Sequence, residues 1–317
     1  MKKCVSLIGE IQLIRDQAMK DTALVIKDNR LIEASYRLSL VEHRIMQMAI
    51  AWTRCNKIEL DADTWIELHS SDYSNMYSLD EKISYRQLKA AARDLRERRL
   101  IVEGVHPETG DVVTIEGGWV SYVMYSPKKG TIGLQFSKII IPYISTLEER
   151  FTSYQIKHVS RFSSTYAIRL YELCKQYLSI GKRFFKIQDL KDALEANEPS
   201  YDRIDNFKSK ILDKSVDQIN LTSDIDLSYF SEKQGRSIVG YTFLIKLKPQ
   251  NNEALDSSKT QPLIIKAAPI SFTTAERSMF KELNITHPEI TTEMINDMCA
   301  IQQLDPLMVM IKLKQKK

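Results

Sequence analysis

The stretch Ser84-Tyr-Arg-Gln-Leu-Lys-Ala-Ala-Ala-Arg-Asp-Leu-Arg-Glu-Arg-Arg99 decides the fold. Ser84 can cap a helix, with Gln87 three residues on as its capping-box partner. At helical spacing Leu88, Ala91, Ala92 and Leu95 gather on one side. Arg86, Lys89 and Arg93 gather on the other, with Arg96 beside them, and Arg98 and Arg99 extend the charge toward the C-terminal end. A helix that lies in a major groove needs two such faces, one to pack on its own domain and one to reach phosphates and base edges. A solvated basic face, favoured by the helix dipole, accounts for the charge alone. The elements on either side must decide between these readings.

On the N-terminal side, Ser39 and Glu42 form a capping-box pair. Leu40, His43, Ile45, Met46, Met48, Ala49 and Trp52 then give a broad apolar face. Residues 58–60 and 64–68 read as short strands, and a short helix begins at Ser70 or Ser71 and runs to about Tyr77. On the C-terminal side come a strand near 100–103, a turn-rich stretch at 106–111 and a strand at 112–115. Two alternating segments, 119–125 and 131–136, flank the turn Pro127-Lys-Lys-Gly130. Helix, helix, strand, hairpin is the order of a winged helix. The order recurs downstream: a helix at 163–177, a strand at 184–187, helices at 188–194 and 201–216, and strands at 219–221, 224–229 and 241–247. A turn at Lys233-Gln-Gly-Arg236 precedes the last strand. The expected fold is α+β, with two winged-helix domains at 25–150 and 151–249 that show no obvious sequence repeat. Residues 250–317 read as a polar linker and a small helical tail, with helices near 273–283 and 291–303. Residues 11–14 suggest a short helix or strand.

The helix at 201–216 is the second candidate for DNA. Ile204, Phe207, Ile211 and Leu212 form its buried side, while Arg203, Asn206 and Lys210 point away with Asp202 and Asp213 among them. Arginine suits bidentate contact with guanine and asparagine suits adenine. Lys208 and Lys214 on the flanks suit phosphate, which sets affinity and salt sensitivity more than sequence choice. Lys233 and Arg236, at the tip of the second hairpin, are candidate backbone or minor-groove contacts.

Charge supports this placement. The net +4 of the 317 residues is unevenly spread: residues 1–150 carry 21 basic and 21 acidic side chains, residues 151–248 carry 16 and 12. A polyanionic partner fits that excess. Cys4, Cys55, Cys174 and Cys299 lie far apart without a CxxC, so neither a disulfide framework nor a zinc ribbon is expected, and a reducing cytosol fits. No apolar run approaches the roughly 20 residues of a membrane span, and the N-terminus lacks the apolar core of a signal peptide. Gly181-Lys182 has no upstream glycine of a phosphate-binding loop. His43, His69, His106, His158 and His287 form no HxH or HExxH pair, which disfavours a metal-dependent nicking enzyme. No carboxylate cluster suited to Mg²⁺ is evident. The chain is therefore expected to be non-enzymatic, with no cofactor and no metal.

Several segments, in order, resemble the iteron-binding plasmid replication initiators of the RepB/Rep3 type. They are Asn29-Arg-Leu-Ile-Glu-Ala-Ser-Tyr-Arg-Leu-Ser-Leu40, Tyr85-Arg-Gln-Leu-Lys89, Ile140-Ile-Pro-Tyr143, Phe151-Thr-Ser-Tyr154 and Ser163-Ser-Thr-Tyr-Ala-Ile-Arg-Leu-Tyr-Glu-Leu173. Phe207-Lys-Ser-Lys-Ile-Leu212, Ile219-Asn220, Gly235-Arg236 and Phe243-Leu-Ile-Lys246 follow. The resemblance covers about residues 25–248. It implies two winged-helix domains related by pseudo-symmetry. Monomers would bind repeated double-stranded sites (iterons) at an origin, most strongly through the second domain. Homodimers joined through the first domain would repress the initiator's own gene. The host replication initiator and the replicative helicase are the implied partners, and a bacterial cytoplasm the implied setting. A transcriptional repressor without initiator activity is the alternative. The most characteristic segment reads as structural, with Ile168, Leu170, Tyr171 and Leu173 core-like and Arg169 left to a neighbour or a phosphate. Residues beyond Gln250 fall outside the resemblance.

Overall fold

Ser39 closes the first long helix as its sequence asks. Its hydroxyl accepts from the Glu42 amide at 3.3 Å, and the Glu42 carboxylate accepts from the Ser39 amide in return. The computed structural model describes residues 21–106, 108–145 and 151–249. The expectations for residues 11–14, the tail from 250 to 317, Cys4, Cys299 and His287 lie outside the described residues.

The chain enters through β1 (Leu24–Asp28), α1 (Asn29–Glu33), α2 (Leu40–Cys55), β2 (Trp65–His69), α3 (Ser70–Tyr77) and α4 (Glu81–Glu97). A hairpin of β3 (Arg99–Val105) and β4 (Val112–Gly118) comes next, then β5 (Val120–Ser126), β6 (Thr131–Phe136) and the short α5 (Ile141–Ile144). After these come β7 (Phe151–Gln155), α6 (Lys157–Ser160), α7 (Thr165–Lys175), β8 (Lys182–Lys186) and α8 (Ile187–Leu194). A helical run of α9 (Ile204–Phe207), a π turn (Lys208–Leu212) and α10 (Asp213–Thr222) leads into β9 (Ile225–Gln234) and β10 (Ser237–Leu247).

The duplication is written in the sheets. The first module's sheet has the order β2-β6-β5, the second β8-β10-β9, and every pairing in both is antiparallel. In each, the last strand is central, the strand before the helix pair is one edge, and the penultimate strand is the other. Helix, strand, helix, helix, hairpin thus occurs twice, as two winged helices. The β3–β4 hairpin is an insertion in the first module, and the second has no counterpart among the described residues. Both wings turn through glycine at positive φ, Gly130 at 65° and Gly235 at 62°, where any other residue meets a steric penalty.

β1 and β7 pair antiparallel, from Leu24 opposite Gln155 to Asp28 opposite Phe151, so the entering strand is fastened to the one that leads into the second module. Residues through Pro249 form one compact unit. The apolar side of α7, with Ile168, Leu170, Tyr171 and Leu173 all fully buried, lies in a core shared with α2 and the sheets.

Three local expectations are corrected. Helix α4 starts at Glu81, three residues before Ser84, because Asp80 takes the cap: its carboxylate accepts from the Lys82 amide at 2.7 Å. Ser84 sits buried inside the first turn and its hydroxyl donates to the Asp80 carbonyl. Residues 219–221 are the end of α10 and not a strand, since Val216 and Ile219 continue the apolar face begun by Phe207, Ile211 and Leu212. The Asn220 side chain both donates to and accepts from the Leu227 backbone, joining the helix end to β9. Residues 58–60 have no strand partner among the described residues.

Candidate nucleic-acid interface

In α4 the two faces separate cleanly. Leu88, Ala92 and Leu95 are fully buried, with Ala91 close to it, whereas Arg86, Lys89, Arg93 and Arg96 are all exposed. Their spacing of three, four and three residues aligns them in one stripe along the helix. Arg93 pairs with its neighbour Asp94 at 3.1 Å and Arg96 with Glu97 at 2.8 Å, both at the surface. Such pairs are worth about 0–1 kcal/mol and give way readily to a phosphate. Lys89 Nζ lies 5.6 Å from the Tyr125 ring centre on β5, so the first module's wing flanks the stripe. Burial pushes the Tyr125 phenol up, while Arg96 and Arg93 pull it the other way. Arg98 is held elsewhere: its Nε donates to the buried Glu42 carboxylate at 2.9 Å, joining the end of α4 to the start of α2.

The second helix is less regular. Arg203 is exposed, but it stands at the N-cap of α9, just outside the helix. Asn206 is half-buried and donates one of its two amide hydrogens to the Ser200 carbonyl at 3.0 Å. Lys208 and Lys210 fall in the π turn and are exposed, as is Lys214 in α10. Lys208 is bonded to Asp213 at 3.0 Å and lies 5.7 Å from the Tyr229 ring centre. Burial pushes the Asp213 carboxyl up, but hydrogen bonds from Tyr229 and Lys208 prevail and hold it below the ordinary carboxylate range. Lys210 and Lys214 have no acidic partner among the described residues. π turns break the α-helical phase and are common at functional sites.

Lys233 and Arg236 are exposed at the end of β9 and in the two-residue turn before β10. Equivalence of the two sheets adds two residues that the sequence reading left as a plain turn. Lys128 and Lys129, both exposed, sit at the tip between β5 and β6, the first module's counterpart of Lys233 and Arg236. The signal was in the sequence: two lysines beside Gly130 in a hairpin that follows a basic helix. Arg169, by contrast, is no surface contact. It is 2% exposed, its guanidinium donates to the carbonyls of Ile32, Ala34 and Ala193, and it lies 4.3 Å from the Tyr36 ring centre.

The first module thus carries an exposed basic helix, and the second exposed Arg203, Lys208, Lys210 and Lys214 interspersed with Asp202, Asp205, Asp213 and Asp217, each beside a wing with cations at its tip. Phosphate binding, with base edges within reach of the long side chains, is what this arrangement can do. Among the described residues no group of three or more His, Cys, Asp or Glu is placed to hold a metal ion, and no helix is long and apolar enough to cross a membrane.

Known proteins bear on this arrangement. Residues 24–175 match the family model for the initiator replication protein, WH1, and residues 186–245 match that for the initiator Rep protein, WH2. The PI protein of Escherichia coli is 27% identical over 244 residues, which span 66% of this chain and 78% of that protein. A replication initiation protein of Escherichia coli is 23% identical over 235 residues, 72% of this chain and 71% of its own. The crystal structure of the Pi initiator protein in complex with iteron DNA matches with a TM-score of 0.61 at 23% identity, over 72% of this chain and 99% of that one. At that identity the likeness is one of fold.

Proposed function

This chain belongs to the initiator Rep protein family, and from that premise we propose that it is a plasmid replication initiator that binds repeated double-stranded sites at an origin. The observation that carries the reading is the repeated geometry: two modules of one topology, each with exposed cations on the helix that precedes its hairpin and a cation-tipped wing. Arg86, Lys89, Arg93 and Arg96 serve the first module. Arg203, Lys208, Lys210 and Lys214 serve the second, with Lys233 and Arg236 on its wing. Asn206 contributes through its carbonyl oxygen and its second amide hydrogen, since one hydrogen is engaged with Ser200. The protein acts by binding and by deforming DNA, without bond chemistry of its own.

The finer reading assigns residues 25–150 to DNA contact and dimerisation, residues 151–249 to the main iteron contacts and residues 250–317 to an extension. In this reading a homodimer represses the initiator's own gene, and the host initiator and replicative helicase join at the origin in a bacterial cytoplasm. Support for dimerisation through the first module comes from the β3–β4 hairpin, which leaves Ile101 56% and Val112 73% exposed on one face, two apolar side chains that a self-complementary contact would cover. A repressor confined to its operator is not favoured, since both family models describe replication initiators.

Affinity for a duplex repeat from the DNA flanking the gene tests the assignment. Arg203→Ala or Lys210→Ala is expected to weaken binding by about 1–3 kcal/mol at fixed salt where the side chain meets a base. Parental affinity in both variants removes this helix from the DNA face.

A further inference from the structure

We propose that the outer face of the second module's sheet is a platform for single-stranded DNA, on which Phe184 and Phe230 stack bases. Cross-strand register places Phe184 of β8, Thr242 of β10 and Phe230 of β9 in one row. Their sequence neighbours Phe185, Tyr229, Tyr241 and Phe243 point inward and make the core, in two edge-to-face pairs and a stack. Phe184 and Phe230 point outward and are 49% and 48% exposed. Two large aromatic side chains left half in water on one sheet face are what a partner covers.

The posture of Phe184 is set by its neighbour. A Cβ at Gly240 would stand 2.5 Å from Phe184 Cε2 and 2.6 Å from Cζ, so the ring lies across the bare glycine backbone. Two interstrand spacings, roughly 10 Å, separate the strands that carry Phe184 and Phe230, with Thr242 between them. Thr242 donates its hydroxyl to one oxygen of Glu232. Lys182, Lys186 and Lys246 are exposed and share the outward parity of this face with exposed Leu244 and Asp226, the latter opposite Lys246, and with Glu232, so three lysines stand against two carboxylates. Aromatic faces for bases, ringed by lysines for the backbone, are the elements of sequence-tolerant single-strand binding.

The two nucleic-acid surfaces do not compete. Tyr229, on the inner face, bonds to Asp213 at the start of α10, while Phe230, one residue on, points the opposite way. The helix proposed to hold duplex therefore packs on the side of the sheet opposite the aromatic row. A module bound to a repeat keeps its outer face open to a strand.

Fluorescence anisotropy of the full chain with a labelled oligothymidine tests the proposal, with duplex repeat binding measured in parallel. The parent is expected to bind the oligothymidine. The double variant Phe184→Leu/Phe230→Leu, which keeps apolar cover over Gly240, is expected to lose about fivefold or more per ring. Phe184→Trp is expected to retain affinity, and duplex binding to stay unchanged in both variants, which reports an intact fold. Failure of the parent to bind oligothymidine overturns the proposal, as does full retention by the double leucine variant, the result a protein-docking face would give. Loss of duplex binding by the parent would strike the replication reading instead, so the two failures are told apart.

Discussion

Replacing Lys27 with methionine is expected to unfold much of what holds the two modules together. Lys27, on β1, places its ammonium 2.7 Å from Glu172 on α7, and the two side chains are 3% and 0% exposed. The same carboxylate oxygen accepts from the Tyr154 hydroxyl, which in turn accepts from Gln47 at 3.4 Å. Burial alone would push the Lys27 ammonium down, but the adjacent carboxylate outweighs it and holds the group above its ordinary value. Lys27→Met removes the charge that offsets a buried carboxylate, at a cost of about 3–5 kcal/mol. Against a total stability of about 5–15 kcal/mol for a typical domain this is a large fraction. Urea denaturation measures it, read as a drop in midpoint with an unchanged slope. Because the cost comes from the stranded charge, the double variant Lys27→Met/Glu172→Gln is expected to be more stable than Lys27→Met alone. A loss below about 1 kcal/mol in the single variant, or full additivity in the double, refutes this reasoning. The sign with pH follows from the raised folded value: the contribution is complete below the free lysine range and is lost as pH climbs through the folded value.

Three further outcomes are expected. Arg86→Ala and Lys89→Ala are each expected to lower the slope of log affinity against log salt by about one where they meet phosphate, with sequence preference intact; an unchanged slope in a salt titration takes α4 off the DNA. Val112→Lys, on the exposed hairpin, is expected to shift sedimentation toward the monomer, and a dimer that persists places its interface elsewhere. His43 is buried and held well below its ordinary value, first by burial and then by Lys27 and Arg169. The unfolded chain therefore takes up a proton that the folded chain refuses, and the melting temperature should fall as pH drops below about 6.5. His43→Gln should flatten that fall, and an unflattened fall would assign it to other groups.

The helix that could be read best from the sequence was α4, because its residues obey a single period from Ser84 to Arg96 and its charges lie opposite its apolar positions. The second helix was harder, for a physical reason. The π turn at Lys208–Leu212 adds a residue to the turn. That rotates everything beyond it by about 100° relative to the α-helical wheel. The grouping of Arg203, Asn206 and Lys210 on one side with Lys208 and Lys214 on the flanks, counted at α-helical spacing, therefore does not carry across the turn. The end of α10 was hidden because Ile219-Asn-Leu221 alternates like a strand, with Leu221 left 82% exposed. The joint between the modules left no local trace. Lys27 and Glu172 are 145 residues apart, and Arg169 reaches carbonyls at Ile32 and Ala34 that periodicity cannot associate with it. The wing lysines 128 and 129 were visible as a turn, but their role emerges only once β5–β6 is seen to correspond to β9–β10.

Hydroxyl-radical footprinting of the full chain on duplex repeats from the DNA flanking its gene bears most directly on the two-helix account. Two protected patches per repeat, about one helical turn of roughly 10 base pairs apart on one face of the duplex, are the predicted pattern. Combined Arg86→Ala/Lys89→Ala should erase one patch, and combined Arg203→Ala/Lys210→Ala the other. A single patch, or two patches that both survive these substitutions, would contradict it.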